Sequence, residues 1–173
     1  MNSVGIDVSK GRSTVAVMRP FGEVVISPFE VRYTDSELSA LARLLKSLDG
    51  ETRVVMEATG NYHTPVAKVL HDARLYVSVV HAKLIHGYGN NDLRRVKTDR
   101  KDAVKLANYG LNRWLTLPRY FPEEDTRLLL KNCYRQYKQY SKVQTVLKNN
   151  LISLLDTAFP NVNRLFSGST TPL

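Results

Sequence analysis

The spacing of hydrophobic positions changes along the chain and predicts where sheet gives way to helix. Residues 3–8, 13–18 and 23–31 are short β-branched segments, and the turns between them are short enough to favour antiparallel neighbours. Pro28 in the third segment predicts an edge or bulge position, because proline cannot donate a hydrogen bond to the sheet. We therefore expect the chain to begin with three antiparallel strands.

Helical and strand-like spacings alternate in the middle of the chain. Leucines within residues 38–48 recur at helical spacing, and residues 53–56 and 75–80 are short apolar strands with a helix between them. Glycines and asparagines in residues 82–98 predict irregular structure before a helix over 99–111. A strand–helix–strand unit implies parallel pairing. Three antiparallel strands followed by such crossovers predict an α/β, RNase H-like fold with a mixed sheet.

The last predicted element is a long helix. From Glu123 to Ala158 the chain has neither glycine nor proline, and its apolar residues follow a heptad. The two seam positions hold Leu130, Tyr137, Leu151 and Ala158, and Cys133, Tyr140, Leu147 and Leu154. Such a helix spans roughly 50 Å, so part of its seam is expected to meet another helix, from a second copy or from a partner domain. A helix that lies along its own domain is the alternative. We expect an α/β domain over 1–117, a coiled-coil helix over 118–160 and a linker or frayed end over 161–173.

The composition excludes several classes of protein. Hydrophobic residues are 43% and charged residues 24% of the chain, which are ordinary values for a folded domain. No segment approaches the roughly 18 apolar residues of a membrane-spanning helix. The single cysteine, Cys133, excludes a disulfide framework and a cysteine-rich zinc site, and a cytoplasmic location is expected.

Positive charge is concentrated in one quarter of the chain. The net charge is +9, and residues 81–120 contribute +6 of it, with nine Lys or Arg against three Asp or Glu. Concentrated positive charge is typical of proteins that bind nucleic acid; a solubility surface is the alternative. The cations expected to contact phosphates are Lys10, Arg94, Arg95, Lys97, Arg100, Lys101 and Lys105.

Four carboxylates are candidates for chemistry. Asp7 interrupts an apolar strand, Glu57 ends another, and Asp99 and Asp102 lie three residues apart at the start of a helix. Taken singly, each has a structural explanation in a turn, a solvated loop or a helix cap. Together they would supply the oxygen ligands that Mg²⁺ prefers, and two such ions, roughly 4 Å apart, can promote phosphodiester displacement. We therefore expect these four residues to bind Mg²⁺, with Mn²⁺ as a substitute.

Three motifs carrying these carboxylates resemble a known family. Residues 5–10 (GIDVSK), 55–62 (VMEATGNY) and 96–103 (VKTDRKDA) are similar to the N-terminal DEDD domain of insertion-sequence transposases related to the Piv DNA invertase, the IS-one-ten group. The resemblance covers residues from about 3 to about 110, and the long helix is similar to the family's coiled-coil segment. It implies a RuvC-like fold in a prokaryotic cytoplasmic recombinase whose catalytic, metal-binding residues are the four carboxylates.

The resemblance also implies partners and a missing part. DNA and a guide (bridge) RNA are the implied ligands for strand cleavage and exchange, and a second copy is expected to bind through residues 123–158. Family members continue into a domain with a serine nucleophile, which no serine here matches, so we expect the chain to be the N-terminal piece of a longer enzyme. The alternatives are a stand-alone RuvC-like junction nuclease and a non-catalytic RNA-binding oligomerisation module. A sugar kinase or actin-like ATPase would need two such domains.

Overall fold

A five-stranded mixed sheet organises the first part of the chain. The computed structural model describes residues 1–58, 60–88 and 98–159. Its strands are β1 (Asn2–Ser9), β2 (Arg12–Met18), β3 (Val24–Arg32), β4 (Thr52–Glu57) and β5 (Tyr76–Val80). The strand order is β3-β2-β1-β4-β5, with β1, β2 and β3 antiparallel and β1, β4 and β5 parallel. This is the RNase H-like arrangement predicted from the sequence, and the prediction is confirmed.

Helices lie between the later strands and after the last strand in the sequence. They are α1 (Asp35–Lys46), α2 (His63–Asp72), α3 (Ala82–His86), α4 (Asp99–Asn112) and α5 (Asp125–Ala158). The expectation of irregular structure throughout 82–98 is wrong at its start, where α3 forms one short turn. The cap of that turn is the His81 side chain, which accepts a hydrogen bond from the Lys83 backbone N–H at 3.2 Å. Histidine is not among the usual capping residues, so the sequence carried no cap signal there.

The two faces of the sheet bury different residues of β1. Val4, Ile6 and Val8 pack with residues of α1 and α2 in the larger hydrophobic core. The alternate residues face the other way, as strand geometry requires, and helix α4 covers them. Helix α1 has a side-chain cap at its start: the Thr34 hydroxyl accepts a hydrogen bond from the Glu37 N–H at 3.3 Å. The face under α4 is the one that positions the candidate site.

The chain divides into two units, Met1–Pro122 and Glu123–Leu173. The segment before the boundary is hydrogen-bonded to the sheet: the Tyr120 N–H donates to the Val77 carbonyl of β5 at 2.8 Å. The described part of the second unit is α5, a helix of 34 residues, and apolar side chains stay exposed along it, including Leu130, Leu147 and Leu151.

In the part of the chain that the structure describes, no helix has both the length and the apolar character of a membrane span.

Candidate active site

Helix α4 lies directly on β1 because Gly5 has no side chain. A Cβ atom at Gly5 would be 1.9 Å from the carbonyl oxygen of Ala103, and one at Gly110 would be 2.2 Å from the hydroxyl oxygen of Ser3. Ser3 of β1 therefore lies against Gly110, and Gly5 lies against Ala103, so the contacting residues of α4 run in the opposite order to those of β1. The helix runs antiparallel to the strand, and its first turn is directed toward the Asp7 end of β1.

Asp7 and Glu57 emerge side by side on the face that α4 covers. The parallel register of β1 and β4 pairs Gly5 with Val55 and Ile6 with Met56, and the next residue along each strand is Asp7 or Glu57. Side chains alternate along a strand, so Asp7 shares a face with Gly5, and Glu57 shares one with Val55. Neighbouring strands lie roughly 4.8 Å apart. Both carboxylates are half-buried.

The first turn of α4 supplies Asp99 and Asp102. The hydroxyl of Thr98 caps this helix by accepting a hydrogen bond from the Lys101 N–H at 3.4 Å, so the side-chain cap is Thr98 rather than either aspartate. Asp102 is half-buried and lies one turn before Leu106, which packs with Val55 of β4. Asp102 is therefore on the side of the helix that faces the Glu57 strand.

Asp99 is exposed and lies at the same end of the sheet, but beside β2 rather than β4. It lines a cavity of about 420 Å³ together with Thr14 and Glu30. Thr14 is the residue of β2 that pairs with Asp7. The backbone thus directs all four predicted carboxylates to one end of the sheet, with Asp102 toward β4 and Asp99 toward β2.

The side chains do not close into a cage. Within residues 1–58, 60–88 and 98–159, no three Asp, Glu, His or Cys side chains form a group able to hold a metal ion. Mg²⁺ rarely uses an all-protein cage and is usually held by one or two carboxylates, with water and phosphate oxygens completing its shell. The adjacent carboxylates Asp7 and Glu57 fit that kind of site by donor type and by backbone position.

Glu30 extends this row of polar residues and was missed in the sequence. The β2–β3 register pairs Thr14 with Glu30, so Glu57, Asp7, Thr14 and Glu30 follow one another across four strands. Glu30 is exposed and forms an ion pair with Arg12 at 3.4 Å. The alternation of polar and apolar residues within 23–31 does not show on which face of the sheet Glu30 lies, because the β2–β3 pairing shifts register between Val15 and Met18.

Two titratable side chains near the site, Tyr33 and His63, have shifted pKa values. Burial raises the pKa of Tyr33, and the negative charge of Asp7 adds to the rise, while a hydrogen bond with the Ser13 hydroxyl opposes it. Burial lowers the pKa of His63, and a hydrogen bond with the Gly60 backbone partly opposes that change. His63 opens α2 after the loop that follows Glu57, and its Nδ1 is buried without a hydrogen-bond partner in the described structure. Burial therefore favours the neutral form of His63.

Cations lie beside the acidic residues. Arg100, Lys101 and Lys105 line a cavity of about 850 Å³ with Asp102, so three of the predicted phosphate-binding cations share a concave surface with one predicted metal ligand. Lys10 is exposed in the β1–β2 turn, just beyond the Asp7 end of β1. The remaining predicted cations, Arg94, Arg95 and Lys97, lie outside the described residues.

Comparison with known proteins gives a family and several relatives. The family model of the DEDD transposases of the IS110 group, described as a transposase, matches residues 4–160. The pilin gene-inverting proteins of Moraxella bovis and Moraxella lacunata are each 28% identical to this chain over 123 residues, which cover 69% of this chain and 38% of each relative. The chain thus spans about two fifths of the length of the curated relatives it matches.

Solved structures of RuvC from Thermus thermophilus also align with the chain. The structure in complex with a Holliday junction substrate has a TM-score of 0.49 at 12% identity, and covers 69% of this chain and 99% of the other. A second RuvC structure has a TM-score of 0.46 at 15% identity, with 69% of this chain and 100% of the other covered.

Proposed function

Because the chain belongs to the DEDD transposase family of the IS110 group, we propose that it is the RuvC-like portion of a DNA recombinase and supplies a carboxylate site for phosphodiester cleavage. One observation carries the proposal. Asp7 and Glu57 follow the last paired residues of adjacent parallel strands, on the face covered by α4, whose first turn holds Asp99 and Asp102. Function in open α/β sheets gathers at the carboxyl ends of parallel strands.

In this proposal the four carboxylates hold a divalent cation, Mg²⁺ or Mn²⁺. Asp7 and Glu57 are the proposed principal ligands, because they come from rigid neighbouring strands. Asp99 and Asp102 bring further negative charge from α4. The chemistry that divalent cations supply at such sites is stabilisation of the attacking and leaving oxygens of a phosphodiester. The role of the chain itself is to hold the carboxylates at one end of the sheet and to orient the substrate backbone beside them.

The proposed substrates are DNA and a guide RNA. Arg100, Lys101 and Lys105 line the cavity that Asp102 also lines, so phosphates bound by these cations would lie beside the acidic residues. Lys10 provides another cation beyond the end of β1. Arg94, Arg95 and Lys97 are part of the same proposal through the +6 charge of residues 81–120. Phosphate contacts of this kind position a nucleic acid but do not read its sequence.

The proposal includes a second copy of the chain and the rest of a longer enzyme. The exposed seam of α5 would pair with the same seam of a second copy as a coiled coil. Strand exchange is proposed for the whole recombinase, because this chain spans 38% of the curated relatives that it matches. A prokaryotic cytoplasm is the proposed location.

A non-catalytic nucleic-acid-binding module is the second candidate. The observation that favours it is the lack of three converging metal-binding side chains in the described ranges. The two candidates differ in what removal of one carboxylate does. A metal-dependent site loses its response to Mg²⁺, whereas a binding module keeps its affinity and shows no specific response.

The test is filter binding of the chain to duplex DNA and to structured RNA of equal length, over a salt series with and without Mg²⁺. We expect binding that weakens as salt rises and strengthens on addition of Mg²⁺. Glu57→Gln should keep the salt dependence and lose the Mg²⁺ effect. Asp49→Asn, an exposed carboxylate on the α1–β4 turn, is the matched control and should behave as wild type.

A triple variant separates binding from chemistry. Replacing Arg100, Lys101 and Lys105 with Gln should lower the slope of log K against log salt by roughly 3 on DNA, since each phosphate contact contributes about 0.9. Its remaining binding should still respond to Mg²⁺. An equal Mg²⁺ effect in wild type and Glu57→Gln would favour the non-catalytic module. A chain that binds neither nucleic acid would contradict both candidates.

A further inference from the structure

Helix α5 carries most of its cations in one stripe. The stripe consists of Arg127, Lys131, Arg135, Lys138 and Lys142, which follow one another at helical intervals. At 3.6 residues per turn, these five residues occupy an arc of about 80° on the helix surface. All five are exposed.

Electrostatics at the start of the helix agree with this arrangement. The pKa of Glu123 is lowered, first by its hydrogen bond with the Lys131 ammonium group and further by the charges of Lys131, Arg127 and Arg135. Three cations of the stripe therefore act on one carboxylate. Further along the helix, the Lys138 Nζ lies 5.5 Å from the ring centroid of Tyr134.

The stripe lies opposite the apolar seam. Leu130, Tyr137, Leu147 and Leu151 are centred roughly 145° from the stripe at 100° per residue. A helix that pairs through the seam would therefore leave the cations open to solvent. The basic stripe and the apolar seam are thus two separate surfaces on one element.

Beyond Glu123, which pairs with Lys131 at the start of the helix, the stripe has fewer acidic residues along its length than an ordinary solvated helix face. From residue 126 to residue 155 the chain contains six Lys or Arg and no Asp or Glu. Exposed helices usually alternate the two signs, because opposite charges at i,i+4 stabilise a helix and like charges destabilise it. Arg127, Lys131 and Arg135 are spaced at i,i+4 with like charge. A polyanion laid along the stripe would replace this repulsion with attraction.

We propose that the stripe from Arg127 to Lys142 binds the sugar–phosphate backbone of duplex nucleic acid, as a contact additional to the cations of α4. The inference rests on the proposed function, which makes nucleic acid the substrate. Fifteen residues of helix extend about 22 Å at 1.5 Å per residue, which matches six or seven base-pair steps at about 3.4 Å each. Contacts of this kind tighten binding without selecting a sequence.

The experiment compares a stripe variant with a control of equal charge. The stripe variant replaces Arg135, Lys138 and Lys142 with Gln, which has a helix propensity close to those of Arg and Lys. The control replaces the exposed cations Arg43, Lys46 and Lys68 with Gln. Fluorescence anisotropy of labelled 20-base-pair DNA and RNA duplexes is measured over a KCl series. Circular dichroism checks that helix content is unchanged.

We expect the stripe variant to bind DNA with a salt slope lower by between about 2 and 3, since each contact contributes about 0.9, and the control to keep the wild-type slope. A lower salt slope on both duplexes identifies the sugar–phosphate backbone, which both share, as the ligand. A lower slope on only one duplex identifies that nucleic acid, DNA or RNA, as the ligand. An unchanged slope in the stripe variant, or an equal loss in the control, overturns this inference while leaving the α4 surface untouched. A wild-type chain that binds neither duplex overturns the proposed function as well.

Discussion

Gly5 and Ala103 approach so closely that a Cβ atom on Gly5 would lie 1.9 Å from the Ala103 carbonyl oxygen. No real side chain tolerates such a distance from backbone, so only glycine lets α4 lie at this depth on β1. The candidate site depends on this contact, because the position of α4 decides where Asp99 and Asp102 lie relative to Asp7. The contact is therefore both structural and, in the proposed function, a positioning feature.

Gly5→Ala should destabilise the protein by roughly 2 kcal/mol or more, because the added methyl group forces the helix backbone away from the sheet. Urea denaturation followed by circular dichroism measures the change. Gly87→Ala is the control: its φ is −72°, and its Cβ would be an ordinary 3.7 Å from the Lys83 carbonyl oxygen. Equal stability of Gly5→Ala and wild type would contradict the described helix–strand contact.

Arg53 connects the sheet to the segment that follows α4 through cation–π contacts. Its guanidinium carbon lies 4.5 Å from the ring centroids of both Tyr76 and Trp114. Arg53→Lys keeps the charge but loses the planar stacking surface, and should cost about 1 to 2 kcal/mol. Trp114 is the only tryptophan, so its fluorescence should change with the thermal transition. Arg119→Lys, farther from Tyr76 at 5.6 Å, should have a smaller effect; the reverse order would contradict this account.

His63 should make stability depend on pH. Burial lowers its pKa in the folded protein, so the unfolded chain, with an ordinary value near 6.5, binds more protons in mild acid. The free energy of unfolding should therefore fall as pH decreases through about 6.5 toward the lower folded value. His63→Gln should remove this part of the dependence when urea denaturation is compared between pH 8 and pH 5. Parallel pH curves for wild type and variant would contradict the described burial.

The seam of α5 should mediate self-association. Leu147→Asp combined with Leu151→Asp should lower the molar mass measured by light scattering, because charged residues at seam positions disrupt helix pairing. Gln139→Asp combined with Asn149→Asp, two exposed positions away from the seam, changes the net charge equally and should leave the mass unchanged. A wild-type chain that is monomeric at every concentration would show that the seam has no second copy as its partner.

The sequence predicted elements better than it predicted their contacts. The strands of the sheet and the helix over 99–111 follow from local spacing, and the structure has them at nearly those bounds. The short helix α3 escaped prediction because a histidine side chain caps it. The adjacency of Asp7 and Glu57 depends on the register of two strands separated by some 50 residues, and no local pattern contains that register. Glu30 was missed because the β2–β3 pairing is irregular.

Thermal unfolding in a series of Mg²⁺ and Mn²⁺ concentrations tests most directly whether Asp7 and Glu57 act together in binding a divalent cation. A ligand that binds only the folded state stabilises it by mass action, by about 2.7 kcal/mol at one hundred times its Kd. We predict that Tm rises with metal concentration in wild type and in the Asp49→Asn control, and stays constant in Asp7→Asn and in Glu57→Gln. An equal rise of Tm in all four proteins would contradict the claim.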